Sequence, residues 1–143
     1  MREIIFSIKG QPPTRTAQQK GVRVVKGRPY FYEKKEVTEA KRFLLFRMKP
    51  FVPDEPFQGP VRVNITFLFG TKEKKKQYNY RSTRPDLDNL FKGFADCLTE
   101  LRFWEDDSQI AAMTLEKLWV PEDEARIQVS IRECINSDIE EVD

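Results

Sequence analysis

Residues 61 to 69, Val-Arg-Val-Asn-Ile-Thr-Phe-Leu-Phe, alternate with a period of two and put Val61, Val63, Ile65, Phe67 and Phe69 on one face. Only an extended chain repeats its side-chain direction every second residue, so this segment must pair in a sheet with one buried face. A helical period follows it. Leu87, Leu90, Phe91, Phe94, Leu98 and Leu101 recur three and four apart, which predicts a helix from about Asp86 or Asp88 to Leu101, with an Asp near its start able to cap the free amides. Val37, Ala40, Leu44 and Met48 have the same spacing within 33–48, among Lys34, Lys35, Lys41, Arg42 and Arg47, and Pro50 and Pro53 end this amphipathic helix.

The rest of the chain is shorter in its signals. Glu3 to Ile8 reads as an opening strand that stops at Lys9-Gly10. Residues 109–120 read as a strand, Pro121 to Ala125 as an acidic turn, and Ile127, Val129 and Ile131 as the inner face of another strand, so a hairpin is expected there. Gln11 to Pro29 and 70–84 read as loops, and Asn136 to Asp143 as a loose acidic tail. No internal repeat or low-complexity tract interrupts the 143 residues, so one domain spanning 1–143 is expected. The order strand, helix, strand, helix, hairpin predicts an α/β (α+β) domain with two main helices and a sheet of about four strands.

Charge is distributed unevenly. Residues 1–84 hold 20 basic and 7 acidic side chains, a net +13, while residues 85–143 hold 5 and 16, a net −11. Such an asymmetry points to a polyanion for the first part and cations for the second. Arg15, Lys20, Arg23, Lys26 and Arg28 follow Lys9 without an acidic residue from Gln11 to Pro29. The segment 70–84 adds Lys72, Lys74, Lys75, Lys76, Arg81 and Arg84, two tyrosines and a single glutamate. The polyanion expected is nucleic acid, with either segment also readable as a solvated loop.

The chain has no histidine, which removes Ser-His-Asp and Cys-His mechanisms and His-rich zinc sites, and leaves acid–base work to Asp, Glu, Lys or water. Cys97 and Cys134 are too few and too far apart for a disulfide scaffold or a four-cysteine metal site, and are expected to be reduced, partly buried thiols. No apolar run approaches the roughly 20 residues that span a bilayer, and Met1-Arg2-Glu3-Ile4-Ile5-Phe6 is not a signal-peptide core. A soluble, cytoplasmic protein without membrane contact is expected.

The remaining chemistry lies in the aspartates. Asp86 and Asp88 open the central helix, Lys92 lies one turn beyond Asp88 on the same face, and Asp106-Asp107 follow the helix. If the next strand runs antiparallel to the helix, Asp107 could return beside the helix start. Three carboxylates without histidine match Mg²⁺, which takes oxygen ligands and shares them with phosphate, and the chemistry implied is phosphodiester hydrolysis. Lys92 would then supply positive charge to the transition state or the leaving oxygen. The plainer reading is that Asp86 and Asp88 cap the helix, Lys92 pairs with Asp88, and Asp106-Asp107 decorate a loop.

Arg84-Pro85-Asp86-Leu87-Asp88-Asn89-Leu90-Phe91-Lys92, then Asp96 and Leu98, then Phe103-Trp104-Glu105-Asp106-Asp107-Ser108-Gln109-Ile110, resembles the RusA-type Holliday-junction resolvases, endonucleases typical of phages and prophages. The resemblance implies a small α/β fold in an intertwined homodimer, dependence on Mg²⁺ with Mn²⁺ able to stand in, and paired nicking of a four-way DNA junction. By position it implies that Asp86, Asp88 and Asp107 are the metal-binding catalytic carboxylates and Lys92 the essential lysine. Asp106 is the less critical neighbour, with a one-residue ambiguity between Asp106 and Asp107 left open, and Asp96 faces the site or a structural partner. Many members carry a glycine just before the aromatic of the second motif, where this chain has Leu101-Arg102. The first 80 residues match only in character.

A two-fold dimer suits a junction with two symmetric scissile phosphates. DNA contacts are expected from Lys74, Lys75, Lys76, Arg81 and Arg84, and from Arg15 and Lys20. Tyr78 and Tyr80 read either as stacking platforms for splayed bases or as ordinary strand-edge tyrosines. The competing readings are a metal-dependent nuclease for other branched DNA, a catalytically silent DNA-binding protein, and a small-molecule phosphohydrolase, the last of which leaves the +13 half unexplained.

Overall fold

The structure, a computed structural model, describes residues 2–14, 20–33 and 35–139, with backbone only for 20–23, 25, 29–33 and 35–37. Its elements are β1 (Glu3–Lys9), β2 (Lys20–Val25), β3 (Arg28–Glu33), α1 (Lys35–Met48), β4 (Val61–Thr71), α2 (Leu87–Glu100), β5 (Ile110–Pro121) and β6 (Arg126–Glu133). Four strands form one sheet in the order β1-β6-β4-β5, in which β4 is parallel to β5 and antiparallel to β6, and β1 is antiparallel to β6. The domain is α+β with a mixed sheet and two helices, as its periodicities predict.

β4 takes the centre because it is the most apolar strand. Val61, Val63, Ile65, Phe67 and Phe69 are all buried against the helices, beside Phe6 and Ile8 of β1 and Ile127, Val129 and Ile131 of β6. Leu90, Phe94, Cys97 and Leu98 of α2 and Leu44 and Met48 of α1 close the core over that face, and the Phe67 and Phe94 rings meet edge to face at 6.0 Å.

Two expectations are corrected. β5 and β6 do not form a hairpin: they flank β4 on opposite sides, and their connection, a 3-10 turn over Glu122–Glu124, crosses the end of the central strand. Gly70 permits the crossing, since a Cβ there would stand 2.8 Å from the Glu122 Cα. Pairing with β4 on both sides buries more apolar surface than a local ribbon would. The segment Gln11 to Pro29 is not all loop, because β2 and β3 pair antiparallel as a separate two-stranded ribbon. Its turn is Lys26-Gly27, with φ of 51° and 76°, the paired positive values of a type I′ turn.

After β6, Asn136–Asp138 forms a 3-10 turn tied back by an Arg132–Asp138 ion pair of 2.8 Å. Residues 140–143 of the acidic tail lie outside the described residues. No helix among the described residues is long and apolar enough to cross a membrane.

Candidate active site

The basic segment that follows β4 does not hang free. Its residues 78–81 run along the outer edge of β5: Tyr78 N–H donates to Trp119 O (2.7 Å), Trp119 N–H to Asn79 O (2.9 Å) and Arg81 N–H to Lys117 O (3.0 Å), with a bridge between Tyr80 and Leu118. This pairing covers part of an edge that would otherwise expose unpaired amides. Tyr78 and Tyr80 are therefore strand-edge tyrosines, with their hydroxyls bound to Glu124 and to Glu116 (3.0 Å). Those bonds raise both phenol pKa values. The two rings are otherwise exposed.

Arg81 lies inward. Its guanidinium packs over Phe69 (4.2 Å) and Trp119 (4.4 Å), donates to Thr83 Oγ1 (3.1 Å) and reaches Arg84 O. Lys117, on β5 opposite Phe67, donates from Nζ to Thr83 O (2.6 Å) and Pro85 O (2.8 Å). Burial and the Arg81 charge lower the Lys117 pKa, against the attraction of nearby Asp86. Lys76 pairs with Glu73 (2.6 Å) and lies over the Trp119 ring, and it is exposed like Lys74, Lys75 and Arg84, which make no such contacts among the described residues. The Arg15 expectation lies outside the described residues. So does the Lys20 side chain, although its backbone opens β2.

This loop delivers the chain into α2. Asp86 is the N-cap, extended at φ −72° and ψ 144°, yet its side chain makes no capping hydrogen bond. Asp88 occupies the first turn, and Asp86, Asp88, Lys92 and Asp96 are all exposed. Asp88, Lys92 and Asp96 stand four apart and form one stripe along the helix. No ion pair among the described residues joins Asp88 to Lys92. Neither local role that the plainer reading assigned to Asp86 and Lys92 is taken up.

Beyond α2 the second motif folds on itself. Asp106 accepts from Ser108 N–H (3.1 Å) and caps the 3-10 turn Asp107–Gln109, and Gln109 Oε1 accepts from the amides of Glu105 (2.9 Å) and Asp106 (3.2 Å). Gln109 Nε2 donates to Phe57 O (2.9 Å) and Gly59 O (3.0 Å), stapling the turn to the approach to β4. The two aspartates are thereby differentiated. The Ser108 amide holds Asp106 below the usual carboxylate range, while the neighbouring Asp106 carboxylate, with the charge of Asp96, raises Asp107.

The candidate site residues fall into two groups. β5 does run antiparallel to α2, but Asp107 stands at the foot of β5, just before Ile110, which pairs with Val61. Asp86 stands level with Lys117. Seven residues of strand separate the levels, roughly 20 Å at about 3.3 Å per residue. The expected return of Asp107 to the helix start therefore does not occur within one chain. No group of three or more His, Cys, Asp or Glu side chains among the described residues is close enough to hold a metal ion. One end offers Asp86 and Asp88, the other Asp107 with Asp96 nearby, all oxygen donors of the kind a hard divalent cation takes. Lys117 and Gln109 were not singled out from the sequence. Their roles depend on backbone carbonyls brought close by the fold, and only the spacing of Gln109 within the second motif hinted at one of them.

The family model for Endodeoxyribonuclease RusA matches residues 10–132. The chain is 35% identical over 133 residues to the crossover junction endodeoxyribonuclease rusA of Lactococcus phage r1t, covering 92% of this chain and 97% of that protein. It is 25% identical over 141 residues to the uncharacterized protein YqaN of Bacillus subtilis (strain 168), covering 91% of this chain and 96% of that one.

Proposed function

The chain belongs to the RusA endodeoxyribonuclease family, and from that premise we propose a Mg²⁺-dependent enzyme that resolves four-way DNA junctions by paired symmetric nicks. The setting is recombination and repair in a phage or prophage element. The observation that carries the reading is the state of Asp86, an N-cap aspartate that leaves the helix amides uncapped and stands exposed beside Asp88, next to the basic loop. An aspartate at that position ordinarily gains about 1 kcal/mol by capping.

Asp86, Asp88 and Asp107 fit a divalent cation in kind, Mg²⁺ or Mn²⁺, but one chain brings only the first two together. A two-fold dimer that sets the foot of β5 of one protomer against the start of α2 of the other completes each site with both protomers' carboxylates, and gives two sites for two symmetric scissile phosphates. Asp106, whose carboxylate accepts from Ser108 N–H and caps its own turn, is left out of the ligand set in favour of Asp107.

When bound, the cation neutralises phosphate charge and makes water a stronger nucleophile. The chain's own residues do the rest. Asp86 and Asp88, at the start of α2, would hold the cation. Lys92, one turn beyond Asp88 on the same face, would supply positive charge to the leaving 3′ oxygen, stabilising or protonating it. Lys74, Lys75 and Arg84 hold the DNA backbone through charge, so affinity falls steeply as salt rises. Arg81 and Lys76 serve the loop's shape first.

A labelled synthetic four-way junction and a linear duplex of the same arm sequence, each incubated with and without Mg²⁺, test the reading. Paired symmetric nicks in the junction alone, and only with metal, are expected. Cutting of both substrates would move the assignment to a general nuclease, and binding without cleavage in any divalent metal to a silent DNA-binding protein.

A further inference from the structure

Three consecutive carbonyl oxygens just ahead of Asp86 each accept a hydrogen bond from a cationic side chain: Thr83 O and Pro85 O from Lys117, and Arg84 O from Arg81. Asp86 O, next in line, accepts the N–H of Leu90 and starts the helix (3.0 Å). The chain entering α2 is thus bound on one side by side chains and on the other by the helix. Lys117 itself is fixed by its register opposite Phe67 on the central strand, and its own carbonyl accepts from Arg81 N–H (3.0 Å), so loop and strand hold each other twice.

We infer that Lys117 is a positioning residue: by clamping the carbonyls of Thr83 and Pro85 it holds Asp86 in an orientation that keeps its carboxylate off the helix amides and available to a divalent cation. The inference rests on the reading of Asp86 as a metal ligand. Without the clamp the 83–86 segment slackens and Asp86 relaxes into the capping bond its position favours. The helix keeps its stability and the site loses a ligand. An ammonium beside a cation site also repels the cation, but solvent screens that effect at an exposed carboxylate, and the loss of alignment outweighs it.

The test compares wild type, Lys117→Met and Lys117→Arg in thermal melting, metal-free junction binding, Mn²⁺ affinity by electron paramagnetic resonance, and junction cleavage at saturating metal. For Lys117→Met, Mn²⁺ affinity is expected to fall about 10-fold and cleavage about 100-fold, with junction binding unchanged within about 3-fold. Lys117→Arg, which keeps charge and donors, is expected to recover at least about a tenth of the lost rate.

Wild-type cleavage and Mn²⁺ affinity in Lys117→Met would overturn the inference. So would a folded Lys117→Arg that performs no better than Lys117→Met, or failure of both variants to fold, which would make Lys117 part of the framework. If wild type binds Mn²⁺ yet cuts no junction, the functional reading fails while Lys117 is still judged on the Mn²⁺ shift. A wild type that binds no Mn²⁺ sinks both.

Discussion

Phe103 donates its main-chain N–H to the carbonyl of Leu98 at 3.0 Å, and Arg102 between them donates to Thr99 at 3.0 Å with φ of 66°, so α2 ends in a left-handed closing turn. The chain places an arginine in a backbone geometry that glycine adopts without steric cost. A side chain in that conformation is strained. Arg102→Gly is expected to stabilise the protein by about 1 kcal/mol, read as a higher denaturant midpoint at unchanged slope. The exposed Arg102–Glu105 contact of 3.9 Å contributes too little to reverse the sign. A lower midpoint would show that the turn is not strained.

Asp88→Asn and Asp107→Asn are each expected to abolish cleavage while junction binding is kept or strengthened, since each removes a charge that repels phosphate. A shared site makes a sharper prediction. In a mixed dimer of the two variants one site lacks both carboxylates and the other is whole, so an equal mixture recovers about a quarter of wild-type sites and nicks one strand per junction. Sites contained within single chains would give no recovery at all.

Gly70→Ala should destabilise by about 1–3 kcal/mol, because the new methyl meets main chain at the crossing. Its neighbour there, the Glu122 Cα, cannot step aside like a flexible side chain. Gly93→Ala serves as the control: it has open space around it within α2 and should gain about 1 kcal/mol. Equal effects of the two, by chemical denaturation, would contradict the crossing.

Cys97 is buried in the core and its thiol is pushed up to about 12, chiefly by burial, while Cys134 is half-buried near the surface. A thiol reagent near neutral pH should therefore modify Cys134 readily and Cys97 only on unfolding. Two equally fast thiols would mean that the core opens on the labelling timescale.

Arg132 and the Ile135 amide hold the Asp138 carboxyl below the usual range. A depressed folded pKa contributes stability that is complete above the unfolded value and lost as pH falls through the folded one. The 136–138 turn should stay docked down to the ordinary carboxylate range and release below it. An NMR titration of Asp138 with a midpoint at or above that range would contradict the tether.

Periodic burial made much of this fold legible. Val61 to Phe69 and Leu87 to Leu101 each bury one face, and the alternation or helical spacing that burial demands is written in consecutive residues. Which strands neighbour one another was not legible. Two alternating strands joined by a short acidic turn read as a hairpin, and nothing local marks that β4 lies between them except one glycine, Gly70. The β2–β3 ribbon was missed because Lys26-Gly27 is not among the stronger turn dipeptides. The candidate aspartates and Lys92 stand out in the sequence by their spacing and family pattern. The gap between Asp86 and Asp107 does not, because it depends on β5 running its length beside β4. Lys117 acts through main-chain oxygens, which have no sequence of their own.

Only one ladder of this sheet, β4 with β5, joins strands consecutive in the chain, and it closes across the whole of α2. β1 pairs only with β6, and β4 pairs only with β5 and β6. During synthesis the first strand therefore waits, without a partner, until residues beyond Arg126 have emerged, and the central strand waits for Ile110 onward. Sheets closed by such distant pairings fold slowly and expose apolar edges meanwhile. Loss of β6 alone would strand β1 and bare one side of β4. A ribosome stalled before that strand would release no nuclease, only a chain for the cell's proteases to clear.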